Sequence, residues 1–284
     1  MTTSLYFYRL PRMAGSKEGL AYWSSKKVAV VTDPTWGDNG KGKVVDEAAQ
    51  YAKMVIRYNG GPNSGHSVKT EQGEFVFHGI PSGILNPEAL CIIATGSVVN
   101  PITLGEEIAE LRKRGIEINA SNLLISQDSH VIMPWHRTRD NLQEIARGGE
   151  KIGTTGQGIG PTYSDRAARI GIRVKDLLDP QFEEKFDKDL LFQEKLTRLM
   201  KGEPLISSLG EAMHELDDVV NTEAFGEMIN RAIQARCYDR DTILEQLRKA
   251  KDIIGPMVTH VLPVIWDYKD QGKNIIGEGG QGVL

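Results

Sequence analysis

Cysteine is scarce in this chain and placed without pattern: Cys91 and Cys237 lie far apart and form no CxxC pair. Cys91 sits in an apolar run with Leu90, Ile92 and Ile93, so it reads as a buried reduced thiol, which suits a reducing cytoplasm. Long hydrophobic runs are missing too. No stretch approaches the ~20 apolar residues of a membrane span, so no membrane partner is expected. Nor is there an excess of one charge: Lys and Arg number 34 against 38 Asp and Glu, a net charge of -4. That balance makes no electrostatic case for a nucleic-acid partner, although a phosphate pocket can be locally basic on such a chain. The first 26 residues hold Arg9, Arg12, Lys17 and Lys26 against one acid, Glu18, and lack the continuous apolar core of a secretory signal. They are expected to be a disordered or mis-called extension, with Met13 an internal candidate start, ahead of one domain over residues 27–284.

Glycine, at 30 residues, is what the chain has in quantity, and its clusters punctuate an α/β pattern. Val28, Ala29, Val30 and Val31 form a β-branched run suited to a buried strand, ended by Asp33 and Pro34. A glycine-rich turn follows over residues 37–42, and near Lys43 a helical face begins with Val44, Val45, Ala48, Ala49 and Ala52. Met54, Val55 and Ile56 read as a second strand, closed by the turn residues Asn59, Gly60, Gly61 and Pro62. Further strands are expected over residues 75–80, 90–94 and 123–125, with a helix between the last two carrying Leu104, Ile108 and Leu111. Residues 150–163 read as a glycine loop. A helical, charged insertion is expected over about 180–255, with Phe192, Leu196 and Leu199 on one apolar face and Ile243, Leu244, Leu247 and Ala250 on another. Asn274, Ile275 and Ile276 begin a late strand. The fold class is therefore α/β, a mostly parallel central sheet with flanking helices and a P-loop-like nucleotide site.

Residues 37–43 (GDNGKGK) almost satisfy the phosphate-loop spacing GxxxxGK. Glycines let backbone N–H groups approach phosphate oxygens, and the helix that follows adds the positive end of its dipole. Lys41 or Lys43 supplies a point charge. The next residue is Val44, where a phosphate loop uses Ser or Thr to hold Mg²⁺, so the metal needs another oxygen donor, and Asp38 is the obvious one. A second cluster, Asn63, Ser64, Gly65, His66 and Ser67, follows the second strand. A loop histidine is more often structural than catalytic, but His66 beside Asp38, with both loops ending strands of one sheet, stands where ligands bind open α/β sheets.

Residues 36–43 (WGDNGKGK) with 63–67 (NSGHS) resemble the nucleotide-binding start of adenylosuccinate synthetases. Residues 78–85 (HGIPSGIL), 152–169 (IGTTGQGIGPTYSDRAAR) and 278–282 (EGGQG) are similar to further family segments, in order and spacing. The resemblance implies a two-step ligation in which GTP phosphorylates the 6-oxygen of IMP and the amine of L-aspartate then displaces phosphate from C6. It implies that Asp38 removes the N1 proton and helps hold Mg²⁺, that His66 is the acid near the 6-oxygen, and that Lys41 stabilises the moving phosphoryl group. The GTP site would comprise Gly37, Asp38, Asn39, Gly40, Lys41, Gly42, Lys43, Gly65, His66 and Ser67, with Gly65 completing the metal site. IMP would meet residues 38–41 and 63–66 together with Thr155 and Gln281. Arg169 would reach the nucleotide phosphate of a neighbouring subunit, which implies a cytoplasmic homodimer. Read without the resemblance, Thr155 is a turn residue, Arg169 a helix surface charge and Gln281 a chain end.

Asn39 stands where the family usually has Glu, Gln157 where it has Arg, and Arg166 where it has Lys, which keeps a charge but not its geometry. The family also continues well past the glutamine motif, into a further IMP contact, the aspartate loop and the guanine-recognising segment. The expectation is a truncated member whose sheet is incomplete at the C-terminus, its last strand left as an exposed edge. A non-catalytic nucleotide-binding remnant is the alternative. A phage-type relative that acts on dGMP lacks the loop aspartate, so Asp38 favours the ordinary substrate.

Overall fold

The computed structural model describes residues 27–33, 41–63, 65–70, 73–202 and 237–282. The expected N-terminal extension, residues 1–26, lies outside them. Six parallel strands form the central sheet: β1 (Val28–Asp33), β2 (Met54–Arg57), β5 (Leu90–Ile93), β7 (Leu123–Ser126), β9 (Val258–Thr259) and β10 (Ile275–Gly282). Their spatial order is β1-β10-β2-β5-β7-β9. Strands β2 and β5 are apolar runs buried along most or all of their length, as expected where helices cover both faces of a parallel sheet.

On one face the core gathers Val55, Cys91, Ile93, Leu123, Ile125 and Ile276 against helix α1 (Lys41–Ala49), helix α2 (Pro101–Lys113) and helix α6 (Arg240–Ile254). Burial pushes the Cys91 thiol well up, so it stays protonated, as its apolar setting implies. On the other face Met54, Leu90, Ile92 and Ile275 pack on helix α7 (Val261–Asp270). Helix α2 starts where Asn100 Oδ1 accepts from the Ile102 and Thr103 amides, with Pro101 in the first turn, and it buries Leu104, Ile108 and Leu111. Asp239 caps α6 through the Thr242 amide, and Ile243, Leu244, Leu247 and Ala250 are buried as their spacing predicts.

Four expectations need correction. Strand β10, the last in sequence, is not an edge: it lies between β1 and β2 and is paired on both sides. Among the described strands the edges are the first strand, β1, whose Val28 and Val30 are 57% and 60% exposed, and the two-residue β9. Long crossover connections let chain order and spatial order differ in a parallel sheet, so position in the sequence does not say which strand is outermost. The strand expected over residues 75–80 is β4 (Gly73–Phe77), which pairs antiparallel with β3 (His66–Thr70) in a separate hairpin. His66 and Ser67 therefore open a strand, His66 opposite Phe77, rather than sit in a loop. The glycine loop ends at Gly158, because helix α4 (Ile159–Ala167) begins inside the range read as loop.

The fourth correction concerns helix α5 (Phe182–Lys201). Its buried face carries Phe182, Phe186, Leu190, Gln193 and Thr197, while Phe192 and Leu199 are exposed. Polar residues occupy core positions here because partners await them. Gln193 Nε2 donates to Asp165 at 2.8 Å, and the Thr197 hydroxyl meets that of Tyr238 at 2.8 Å.

Candidate nucleotide site

The carboxyl ends of the parallel strands share one edge of the sheet, the usual place for ligands in open α/β folds. The loop leaving β1 holds Gly37, Asp38, Asn39 and Gly40, all outside the described residues, as is Ser64. Beyond it, Lys41, Gly42 and Lys43 form the first turn of α1, where backbone N–H groups lack intrahelical acceptors. Strand β10 runs through Glu278 to Gly282 beside β1, with Asp33 in register with Gly282, so Gln281 is carried next to the start of that loop. On its other side the Gly280 amide donates to Asn59 Oδ1 at 2.9 Å. A Cβ at Gly280 would lie 2.5 Å from the Asn59 carbonyl oxygen, so only glycine permits this approach.

The turn after β2 is held from beneath by a buried arginine. Arg57 Nη1 donates to the His78 carbonyl and Nη2 to the Gly61 carbonyl, each at 2.6 Å. Its register partner on β10 is Glu278, fully buried, which accepts from the Ser82 amide at 3.0 Å. Two buried charges thus tie the turn before Asn63, the 78–83 segment and the glutamine strand into one unit. Beyond this turn Asn63 Oδ1 is buried without a hydrogen-bond partner among the described residues. Gly65 immediately precedes β3. Among the described residues no group of three or more His, Cys, Asp and Glu converges as a metal cage.

Helix α4 docks on the same turn. The Tyr163 hydroxyl accepts from the Gly60 amide at 2.9 Å and donates to the Gly96 carbonyl at 2.7 Å. At its N-terminus Gly158 adopts φ 76° and its amide donates to Asp140 Oδ2 at 2.9 Å. Thr155 is exposed in the loop just before. Behind α4, Asp165 anchors a buried network across helix α3 (Pro134–Ala146) and α5. It receives Arg139 Nη1 at 2.7 Å and lies 3.0 Å from His136 Nε2. His136 Nδ1 accepts from the Met133 amide, which puts the ring proton on Nε2, pointing at Asp165. Burial lowers the His136 pKa despite that carboxylate, so the ring is neutral. Burial also works against the Asp165 anion, but His136 and Arg139 outweigh it and its pKa falls below the usual carboxylate range.

Arg169 follows α4 with φ 62°, the only positive φ at a non-glycine among the described residues, and no described group pairs with it. It lines a cavity of about 380 Å³ with His130, Arg166 and Arg173. Arg166, in place of the family's Lys, donates to the Thr95 carbonyl at 3.0 Å. Helix α4 is nine residues long, so Thr155 and Arg169 stand at its two ends, about 14 Å of helix apart. Gln281, Asn59 and the turn before Asn63 are brought together; Arg169 is not. The sequence reading missed Arg57, Tyr163 and the Asp165 network, although Tyr163, Asp165 and Glu278 lie inside segments singled out for other residues.

A central sheet of six described strands, all parallel, with helices on both faces and glycine turns at one edge, defines an open-sheet α/β protein. The family model described as adenylosuccinate synthetase matches residues 30–284, and the chain belongs to that family. Adenylosuccinate synthetases of Desulforamulus reducens and Heliobacterium modesticaldum are 36% and 40% identical over 255 residues, each alignment covering 90% of this chain and 52% of the relative. The solved structure of fully ligated adenylosuccinate synthetase from Plasmodium falciparum is similar at a TM-score of 0.70 and 25% identity, over 90% of this chain and 51% of that one. The chain therefore spans about half the length of the curated relatives it matches.

Proposed function

We propose that this chain supplies the nucleotide-handling half of a GTP-dependent ligase that joins IMP to L-aspartate. The observation that carries the reading is the family match together with the convergence of Gln281, Asn59 and the Asn63 turn at the end of β1. The γ-phosphoryl group of GTP passes to the 6-oxygen of IMP and GDP leaves. Asp38 takes the N1 proton of IMP, which makes the 6-oxygen the nucleophile. His66 is the acid at that oxygen, and Lys41, in the first turn of α1, offsets charge on the transferring group. The aspartate amine then bonds to C6, the C6–O6 bond breaks, and phosphate departs with the electron pair and takes up the proton that the amine nitrogen loses. Asp38 and the Gly65 carbonyl would hold Mg²⁺, which in turn draws charge from the phosphates; one carboxylate plus phosphate oxygens suits this ion, which seldom needs a protein cage. The GTP phosphates lie along residues 37–43 and 65–67. IMP lies against Asn63, Thr155 and Gln281.

Arg169 serves the IMP phosphate of a second subunit in a homodimer. Its separation from Thr155 by the length of α4 supports a role outside its own chain's site. In the chain extended to its relatives' length, adenylosuccinate formation from GTP, IMP and L-aspartate is expected, read by mass spectrometry, and Asp38→Asn abolishes it with the circular dichroism spectrum unchanged. Undiminished product from that variant overturns the assigned chemistry. A second reading follows from the half-length match: residues 1–284 alone bind nucleotide without ligating it. Product from those residues by themselves contradicts that second reading.

A further inference from the structure

Strands β3 and β4 pair only with each other among the described strands, as do the shorter β6 (Val98–Val99) and β8 (His130–Val131). A lone two-stranded ribbon is marginal in water, so the hairpin that opens with His66 needs an outside support. Helix α2 provides it. Phe75 and Phe77 enter the core in which Leu104, Ile108 and Leu111 also lie, and the Arg114 guanidinium sits 3.7 Å over the Phe75 ring.

The third hold is polar. Glu107 stands three residues after Leu104 and four before Leu111, which puts it on the flank of the buried stripe of α2. From there it reaches the chain leaving β4. Its Oε1 accepts from the His78 amide at 2.9 Å and the Ile80 amide at 3.4 Å, and its Oε2 accepts from the Gly79 amide at 2.9 Å. Gly79 makes this approach possible: a Cβ there would lie 3.3 Å from Leu104 Cδ1 and 3.4 Å from Glu107 Oε2. Burial raises the Glu107 pKa, while the amides of Gly79, His78 and Ile80 and then the His78 ring oppose it.

Residue 78 is thus gripped from two sides, its amide by Glu107 and its carbonyl by Arg57 Nη1, which donates to it at 2.6 Å. Phe77, one residue back, is the register partner of His66. The His78 imidazole lies against the residue before His66, since a Cβ on Gly65 would be 3.6 Å from His78 Nε2. Pro62, next to Asn63, lines one cavity of about 430 Å³ with Glu107 and His78.

We propose that Glu107 is a positioning residue: by fixing the backbone over residues 78–80 it sets where the hairpin begins, and so where Gly65 and His66 stand relative to the Asn63 turn. The proposal rests on the role given to His66 in the ligase reading, and Glu107 acts through the backbone without touching the reacting atoms. A carboxylate suits this task because both of its oxygens accept. Gln offers one acceptor, and its NH₂ would face an amide N–H.

The test uses the full 284-residue chain, isotope-labelled and free of nucleotide, with nuclear magnetic resonance of the histidine rings and amide hydrogen exchange. In Glu107→Gln the His66 ring signal is expected to move and the amides of β3 and β4 to exchange about tenfold faster, while the amides of β5 and β7 and the His260 ring keep their wild-type behaviour. Glu110→Gln, at an exposed position of the same helix, should change neither. Glu107→Asp, a carboxylate one methylene too short to hold all three amides, should loosen the hairpin less, and it carries the test if the Gln variant does not fold. A His66 signal unmoved by either Glu107 variant, or faster exchange spread equally over β5 and β7, makes Glu107 an ordinary packing residue and overturns the proposal. Spectra with IMP, GTP and Mg²⁺ added separate the two claims. A wild-type His66 signal indifferent to them counts against the ligase reading, whereas the grip of Glu107 on the hairpin is judged on the nucleotide-free spectra.

Discussion

Arg169 holds a backbone conformation that costs a side-chain-bearing residue on the order of 1 kcal/mol and costs glycine little. It follows that Arg169→Gly should leave thermal stability unchanged or raise it by up to about 1 kcal/mol, while weakening the nucleotide-phosphate interaction assigned to the guanidinium. Differential scanning calorimetry with an IMP titration on the same variant checks both halves. A destabilised variant with unchanged IMP affinity would show that Arg169 is a packing residue. At this scale the sequence exposes glycine spacing and chemistry-bearing types, which is why Gly37, Asp38, Lys41 and His66 stand out. Arg57 and Glu278 do not. A charge at the end of an apolar run reads as the solvent end of a strand, and only the parallel register of β2 and β10 puts the two side by side in the interior.

Helix α5 shows the same limit one scale up. Its faces were misjudged because apolar periodicity takes Gln193 and Thr197 for surface residues, whereas the Asp165 network and Tyr238 draw them inward. Strands β2, β5 and β7 and the buried faces of α2 and α6 were legible, since local pattern and burial agree there. The order of strands in the sheet was not, because crossover connections decide it. Asp189 on α5 yields a prediction of its own. Burial, reinforced by the nearby Asp165 charge, raises its pKa to about 6, and its Oδ2 finds no partner among the described residues. The folded state then holds this proton more tightly than the unfolded chain, so the contribution to stability falls as pH rises from about 4 to about 6 and stays lost above that. Asp189→Asn should raise stability at pH 7 by roughly 1–3 kcal/mol and flatten that part of the pH profile. Urea denaturation across this range tests it, and a variant less stable at pH 7 would refute it.

At the scale of the whole molecule, the described sheet ends in β1 on one side and the two-residue β9 on the other. Strand β1 pairs only with β10 among the described strands, and no described helix packs on the face bearing Val28 and Val30 as α7 does on its neighbours. The carboxyl edge of the sheet is the part that the proposed function depends on, and three tethers organise it: Arg57 to Gly61 and His78, Gly280 to Asn59, and Tyr163 to Gly60 and Gly96. All three converge on the turn over residues 58–63. The most direct measurement is amide hydrogen exchange of this chain with and without IMP, Mg²⁺ and GTP. Slower exchange is predicted over residues 58–63 and 279–281 and in the first turn of α1. Protection confined to other segments, or none at saturating nucleotide, would contradict the account.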